Sequence, residues 1–189
     1  DEEIIVSVSS NGYVKSVPST SYKKQGRGGK GVKAASSDED VIEHLLSTSV
    51  HAYLLFFTDQ GKVYRAKAHE LPKTTRTAQG SLIHNVLSMS QDEKVQAIID
   101  TRDYETEKFL LIMTEKGTIK KSAFKDFDSN YKSLQAIKLK DDDKVVSVKT
   151  TSGTEDVILV SRKGQAIRFD ENNLKPQGRT AMGVRGIKL

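Results

Sequence analysis

The chain of 189 residues contains no cysteine. Neither a disulfide framework nor a thiolate metal site can therefore contribute, which suits a reducing cytoplasm. No apolar run approaches the roughly 20 residues of a membrane span, and no signal-peptide pattern opens the chain. Helical periodicity is scarce, and Asp40 to Leu46 is the one short candidate. His44, His51, His69 and His84 are scattered without metal-ligand spacing and read as surface or packed residues. Asp141-Asp142-Asp143 lacks the alternating ligands and bidentate Glu of a calcium loop and reads as a solvated turn. No Ser-His-Asp arrangement is legible. An enzyme is thus poorly supported.

What is present is a repeat. Four apolar runs, Ile4 to Val8, Tyr53 to Thr58, Phe109 to Thr114 and Val157 to Ser161, lead into Gly12, Gly61, Gly117 and Gly164. The interval of roughly 50 residues points to a radial or solenoid architecture. Each unit reads alike. A run rich in β-branched and aromatic residues is too short for a buried helix. A polar pair and Gly signal a hairpin. An alternating run follows, then a loop with Gly or small polar residues: Arg76-Thr77-Ala78-Gln79-Gly80 in the second unit, Gly178-Arg179-Thr180-Ala181-Met182-Gly183 in the fourth. A further short strand, such as Leu134 to Leu139, closes the unit, and an acidic turn enters the next. About four strands per unit predicts an all-β, propeller-like chain. The reading is one domain over 1–189, with units 1–48, 49–103, 104–150 and an incomplete 151–189.

Net charge is +5, a modest excess whose distribution matters more than its size. Segments 4–37, 60–91, 116–140 and 162–188 hold 25 of the 30 Lys and Arg but only 5 of the 25 Asp and Glu. The acids collect at the junctions between units. In a radial array the same segment of every unit meets the same side, so the cations are expected to form a continuous band, the footprint of a nucleic-acid binder. Lys15, Arg65, Lys67, Arg76, Lys120, Lys121, Lys132, Arg168 and Arg179 are its candidates. With no recognition-helix pattern, binding to nucleic acid is expected to be largely sequence-independent.

The first unit carries an unusual loop, Gln25-Gly26-Arg27-Gly28-Gly29-Lys30-Gly31, flanked by Lys23, Lys24 and Lys33. Four glycines so close leave backbone N–H groups accessible, and the cations suit an anionic backbone. Its letters fit G-x-G-x-x-G, but no buried strand precedes them and no βαβ unit follows, so the context speaks against a dinucleotide site. The phosphate loop of nucleotide hydrolases fails too, for want of a Lys-Ser or Lys-Thr pair. From the letters alone, a mobile turn and a functional loop fit equally well.

This heptad resembles the gyrase A box, the signature of the C-terminal domain family of the DNA gyrase A subunit, with Gly26 where that family usually has a basic residue. Glu93 to Ile98, Gly164 to Phe169 and above all Gly178 to Ile187 extend the resemblance over essentially the whole chain. It implies a β-pinwheel, a disc of blades that exchange strands and usually number six; with four units present, the chain stopping just before an acidic turn would be due, it reads as part of a longer, six-bladed domain. It implies a non-catalytic, cytoplasmic, nucleoid-associated module that wraps duplex DNA on a cationic rim and so enables ATP-dependent negative supercoiling. Its partners would be DNA, the rest of the gyrase A protein and the gyrase B subunit, with no membrane. No cofactor is implied here; ATP and magnesium are used elsewhere in the parent enzyme, as is the strand-cleaving tyrosine. The matching domain of the topoisomerase IV A subunit is a close alternative, although its box is usually degenerate. A protein-binding propeller is another.

Overall fold

The structure is a computed structural model that describes residues 2–22 and 40–188. The strands run in chain order as β1 Glu3–Ser9, β2 Tyr13–Pro18, β3 Ile42–Ser49, β4 Tyr53–Thr58, β5 Lys62–Lys67, β6 Ser81–Leu82 and β7 Val95–Thr101. There follow β8 Phe109–Thr114, β9 Thr118–Ala123, β10 Ser133–Gln135, β11 Val145–Thr151, β12 Asp156–Val160, β13 Ala166–Asp170 and β14 Val184–Arg185. The expectation of an all-β chain holds. The candidate helix from Asp40 to Leu46 is corrected: Ile42 to Ser49 form β3. Every second residue there, Glu43, Leu45 and Ser47, is exposed, which is the two-residue period of a strand with one covered face.

Three sheets have four strands, in the orders β3-β1-β2-β6, β10-β5-β4-β7 and β11-β8-β9-β14; β12 and β13 form a two-stranded sheet. Each sheet is built on a hairpin whose turn closes from the glycine N–H to a carbonyl three residues back: Gly12 to Ser9, Gly61 to Thr58, Gly117 to Thr114 and Gly164 to Ser161, at 2.9–3.2 Å. The turn glycines lie at φ between 80° and 86°, the left-handed region that such three-residue hairpin loops demand.

The fourth strand corrects the local reading and bears out the strand exchange that the resemblance implies. The strand expected to close its own unit instead joins the hairpin before it. In β10, Leu134 pairs with Val63 of β5; in β6, Ser81 pairs with Val14 of β2; in β14, Val184 pairs with Ile119 of β9. Blades therefore exchange strands, as in a β-pinwheel. The carbonyl of the hairpin glycine secures each arrival, since Gly12 O accepts from Ile83 N, Gly61 O from Ala136 N and Gly117 O from Gly186 N, each at 2.8 Å.

Two compact units divide the chain, one made of residues 1–55, 65–92 and 98–102, the other of 56–64, 93–97 and 103–189. In the first, Ile4, Val6, Val8, Val14 and Val17 are buried. In the second, Phe57 and Phe127 are buried and meet edge to face at 5.8 Å, while Ile119, Leu159 and Ile187 form a further cluster. The acids at the junctions are not merely solvated. Asp40 accepts from Ser10 Oγ at 2.8 Å and Asn11 N at 3.0 Å, and the buried Asp143 accepts from Lys116 N at 3.0 Å. These carboxylates satisfy N–H groups of hairpin turns, which gives their segregation a structural reason beside the electrostatic one. The reading of residues 141–143 as a solvated turn holds for the exposed Asp141 and Asp142 and is corrected for Asp143 alone.

Candidate nucleic-acid interface

The Gly-rich heptad Gln25 to Gly31, with Lys23, Lys24 and Lys33, lies outside the described residues. The remaining candidates separate into two classes. Lys67, Lys132 and Arg168 are exposed, and Arg65, Arg76 and Arg179 are half-buried. Arg65 stacks over the Tyr53 ring with 4.2 Å to its centroid, and Arg168 pairs with Asp156 across the β12–β13 hairpin. Arg76 donates to Ser21 O at 3.1 Å and lies 5.5 Å from the centre of the Tyr22 ring. Arg65 and Arg76 thus rest on aromatic or backbone supports, and Arg168 on a carboxylate.

Lys15, Lys120 and Lys121 depart from the expected exposed band. They are 3%, 1% and 3% exposed. The physical reason is that each ammonium has internal partners. Lys15 Nζ donates to Arg76 O at 2.6 Å and Ala78 O at 2.8 Å. Lys120 Nζ donates to Ala136 O at 2.5 Å, Arg179 O at 2.7 Å and Gly178 O at 3.0 Å, matching its three protons to three carbonyls. Burial lowers the Lys15 ammonium from its ordinary value, and burial with the nearby Arg179 charge brings Lys120 down to about 8. Lys121 instead pairs with Glu171 at 3.0 Å. Its ammonium also sits 4.1 Å from the centre of the Phe109 ring.

Glu171 is a residue that sequence reasoning passed over. It is wholly buried, and it accepts from Thr151 Oγ1 at 3.0 Å and Glu155 N at 2.9 Å besides Lys121. Burial alone would raise its carboxyl; the hydrogen bonds from Glu155, Lys121 and Thr151 outweigh that and hold it below the ordinary carboxylate value. Glu93 is similar, buried and accepting from Thr58 Oγ1 at 2.9 Å and Tyr64 Oη at 2.5 Å. Nothing in the letters distinguishes these carboxylates from the solvated ones. By contrast, the equivalence of Arg76-Thr77-Ala78-Gln79-Gly80 and Arg179-Thr180-Ala181-Met182-Gly183 is legible, as is Lys at the third residue after the turn glycine in Lys15 and Lys120.

Among the described residues, no three or more His, Asp or Glu are grouped to hold a metal ion, and no helix is long and apolar enough to cross a membrane. The arrangement is one of surface cations on strands and loops, held from beneath by buried charges.

Sequence comparison matches residues 3–51, 52–102, 108–152 and 155–189 to the family described as the DNA gyrase C-terminal domain, beta-propeller. The DNA gyrase A protein of Clostridium acetobutylicum is 41% identical over 188 residues, covering 98% of this chain and 23% of that protein. Its Mycobacterium leprae counterpart is 41% identical over 192 residues, covering 100% of this chain and 15% of that protein. The chain thus spans less than a quarter of those relatives. Among solved structures, the C-terminal domain of DNA topoisomerase IV superposes with a TM-score of 0.84 at 33% identity, covering 100% of this chain and 58% of that one. The DNA gyrase A C-terminal domain gives 0.75 at 30%, covering 99% and 61%. The four matched segments, the exchanged strands and the relatives agree: this chain belongs to the DNA gyrase C-terminal domain family.

Proposed function

We propose that this chain is the DNA-binding and DNA-wrapping module of a gyrase A protein. In this reading it performs no chemistry and needs no cofactor itself; ATP and magnesium serve other parts of the enzyme. It works in the cytoplasm on nucleoid DNA, beside the rest of gyrase A and the gyrase B subunit, as one domain over 1–189. Phosphates are held by the heptad Gln25 to Gly31 with Lys23, Lys24 and Lys33, and by Arg65, Lys67, Arg76, Lys132, Arg168 and Arg179. Lys15, Lys120 and Lys121 act from the interior.

The observation that carries this is the recurrence of one loop in two repeats. Arg76 and Arg179 stand at the same position of the same motif, each followed by Thr-Ala and a left-handed glycine. A cation repeated in register suits a uniform polyanion and carries no base code. Bending a duplex through 40–90° costs on the order of 1–6 kcal/mol, which contacts spread along the path can offset.

The test is a titration of the chain with mixed-sequence and scrambled duplexes in increasing salt. Neutralising about six phosphates gives a slope of log K against log salt near −5. Equal affinity for both duplexes and a steep slope support the reading; a flat salt response, or a hundredfold preference for one sequence, overturns it. The superposition on topoisomerase IV favours a second reading, a topoisomerase IV module, in which the parent enzyme decatenates rather than supercoils. The nearly intact heptad argues for gyrase.

A further inference from the structure

Resting on the DNA-binding reading, we propose that the buried lysines Lys15 and Lys120 are positioning residues, which fix the Arg76 and Arg179 loops in the form that meets phosphate. Neither touches DNA; each acts through the backbone of a loop from a later repeat.

The two sites share their plan, with the arginine carbonyl as the common acceptor. Lys15 and Lys120 occupy the same position after their hairpin glycines, and each reaches across sequence to the loop that precedes an exchanged strand. Lys15 holds the carbonyls of Arg76 and Ala78; Lys120 holds those of Gly178 and Arg179. In both, the carbonyl of the candidate arginine itself is one of the acceptors. An ammonium that binds a residue's own carbonyl fixes the point from which its side chain departs. Both loops then end in a glycine at positive φ, Gly80 at 88° and Gly183 at 83°. Each glycine lies tight under the strand that bears the lysine. A Cβ on Gly183 would stand 2.6 Å from Ile119 O, and one on Gly80 would meet Val14 O.

The intervening repeat works as an internal comparison. Tyr64 replaces the lysine and Ser133 replaces the glycine. Tyr64 Oη donates to the buried Glu93. The loop there presents Tyr131, 73% exposed, and the exposed Lys132. Lysine and glycine therefore occur together or are replaced together. That is the pattern expected if they serve one device, and not if the lysines merely fill space. Three protons on three carbonyls also mean that a neutral replacement of Lys120 leaves buried acceptors unmatched, so the loop is released rather than repacked.

The experiment compares the chain with K15M/K120M, R76A/R179A and the fourfold variant, by duplex titration over a salt series and by hydrogen exchange in the two loops. Loss of two phosphate contacts lowers the salt slope by about 1.8. The lysine pair is expected to lower it as much as the arginine pair, and the fourfold variant no further. Exchange in both loops should rise in the lysine variant and stay at the wild-type level in R76A/R179A. K132A serves as control, because its loss should add to that of the lysine pair. If K15M/K120M does not fold, G80A/G183A displaces the same loops with both lysines intact and should give the same loss of slope. A lysine variant that keeps the wild-type slope, loops that stay protected, or a fourfold loss equal to the sum of both pairs overturns the proposal. These outcomes leave the DNA-binding reading standing. A wild-type chain that binds no duplex overturns both.

Discussion

Lys121 and Glu171 meet at 3.0 Å with side chains 3% and 0% exposed. The pair joins β9 to the turn after β13, and Lys121 Nζ also donates to Glu171 O at 3.2 Å. Removing one partner strands a buried charge. Glu171→Ala is therefore expected to destabilise the chain by about 3–5 kcal/mol, while K121M with E171L costs much less because no charge remains. Denaturant midpoints decide it; additive losses would mean that the two residues act independently.

The same carboxylate sets an acid limit. Its folded value lies below the ordinary 4.5, so its contribution is fully present above 4.5 and is lost as pH falls through the folded value. Melting curves from pH 6 to 3 should fall more steeply for the wild type than for E171Q. Parallel curves would remove Glu171 from the account.

Lys120 shifts the same way, but there the charged form is a cost and not a gain. Its ammonium titrates at about 8 in the folded chain against 10.5 when unfolded. Between these values the unfolded chain binds more protons, so the cost of the buried charge is present below pH 8 and relieved as pH rises. Relative to K120M, the wild type should gain up to about 1.4 kcal/mol per pH unit in this window. A constant difference would show that the carbonyl cage keeps its proton.

Gly183 and Gly164 share φ 83° but not their surroundings. A Cβ at Gly164 meets nothing within 4 Å, whereas at Gly183 it meets Ile119 O at 2.6 Å. G164A is expected to cost about 1–2 kcal/mol from the left-handed backbone alone. G183A should cost more, because strand β9 or the loop must move. Equal losses in urea unfolding would contradict the tight seat.

In the proposed function, the heptad is expected to separate affinity from wrapping. R27A/K30A removes two cations, so the salt slope of the isolated chain should shrink by no more than roughly 1.8. In the intact enzyme, the variant should relax or decatenate DNA but lose most negative supercoiling. Wild-type supercoiling in a plasmid topology assay would reduce the heptad to a turn.

The sequence alone determined the repeat. Gly12, Gly61, Gly117 and Gly164 follow strands whose letters announce them, because hairpin turns and two-residue periodicity are local properties. It also determined the family, since box and loop motifs are runs of adjacent letters. Two things were decided only in three dimensions. The first is strand pairing. β6, β10 and β14 joined the preceding hairpin because pairing depends on where an edge is free, which no local pattern records and only the family resemblance implied. Ile42 to Ser49 became a strand beside β1 although a short helix suited its letters, because β1 offered an open edge. The second is the burial of Lys15, Lys120 and Lys121, which left the cationic band for the interior. A lysine's place is set by the carbonyls and carboxylates that converge on it. Most of those acceptors, Arg76, Arg179 and Glu171 among them, come from residues about 50 or more positions away, and Ala136 from 16.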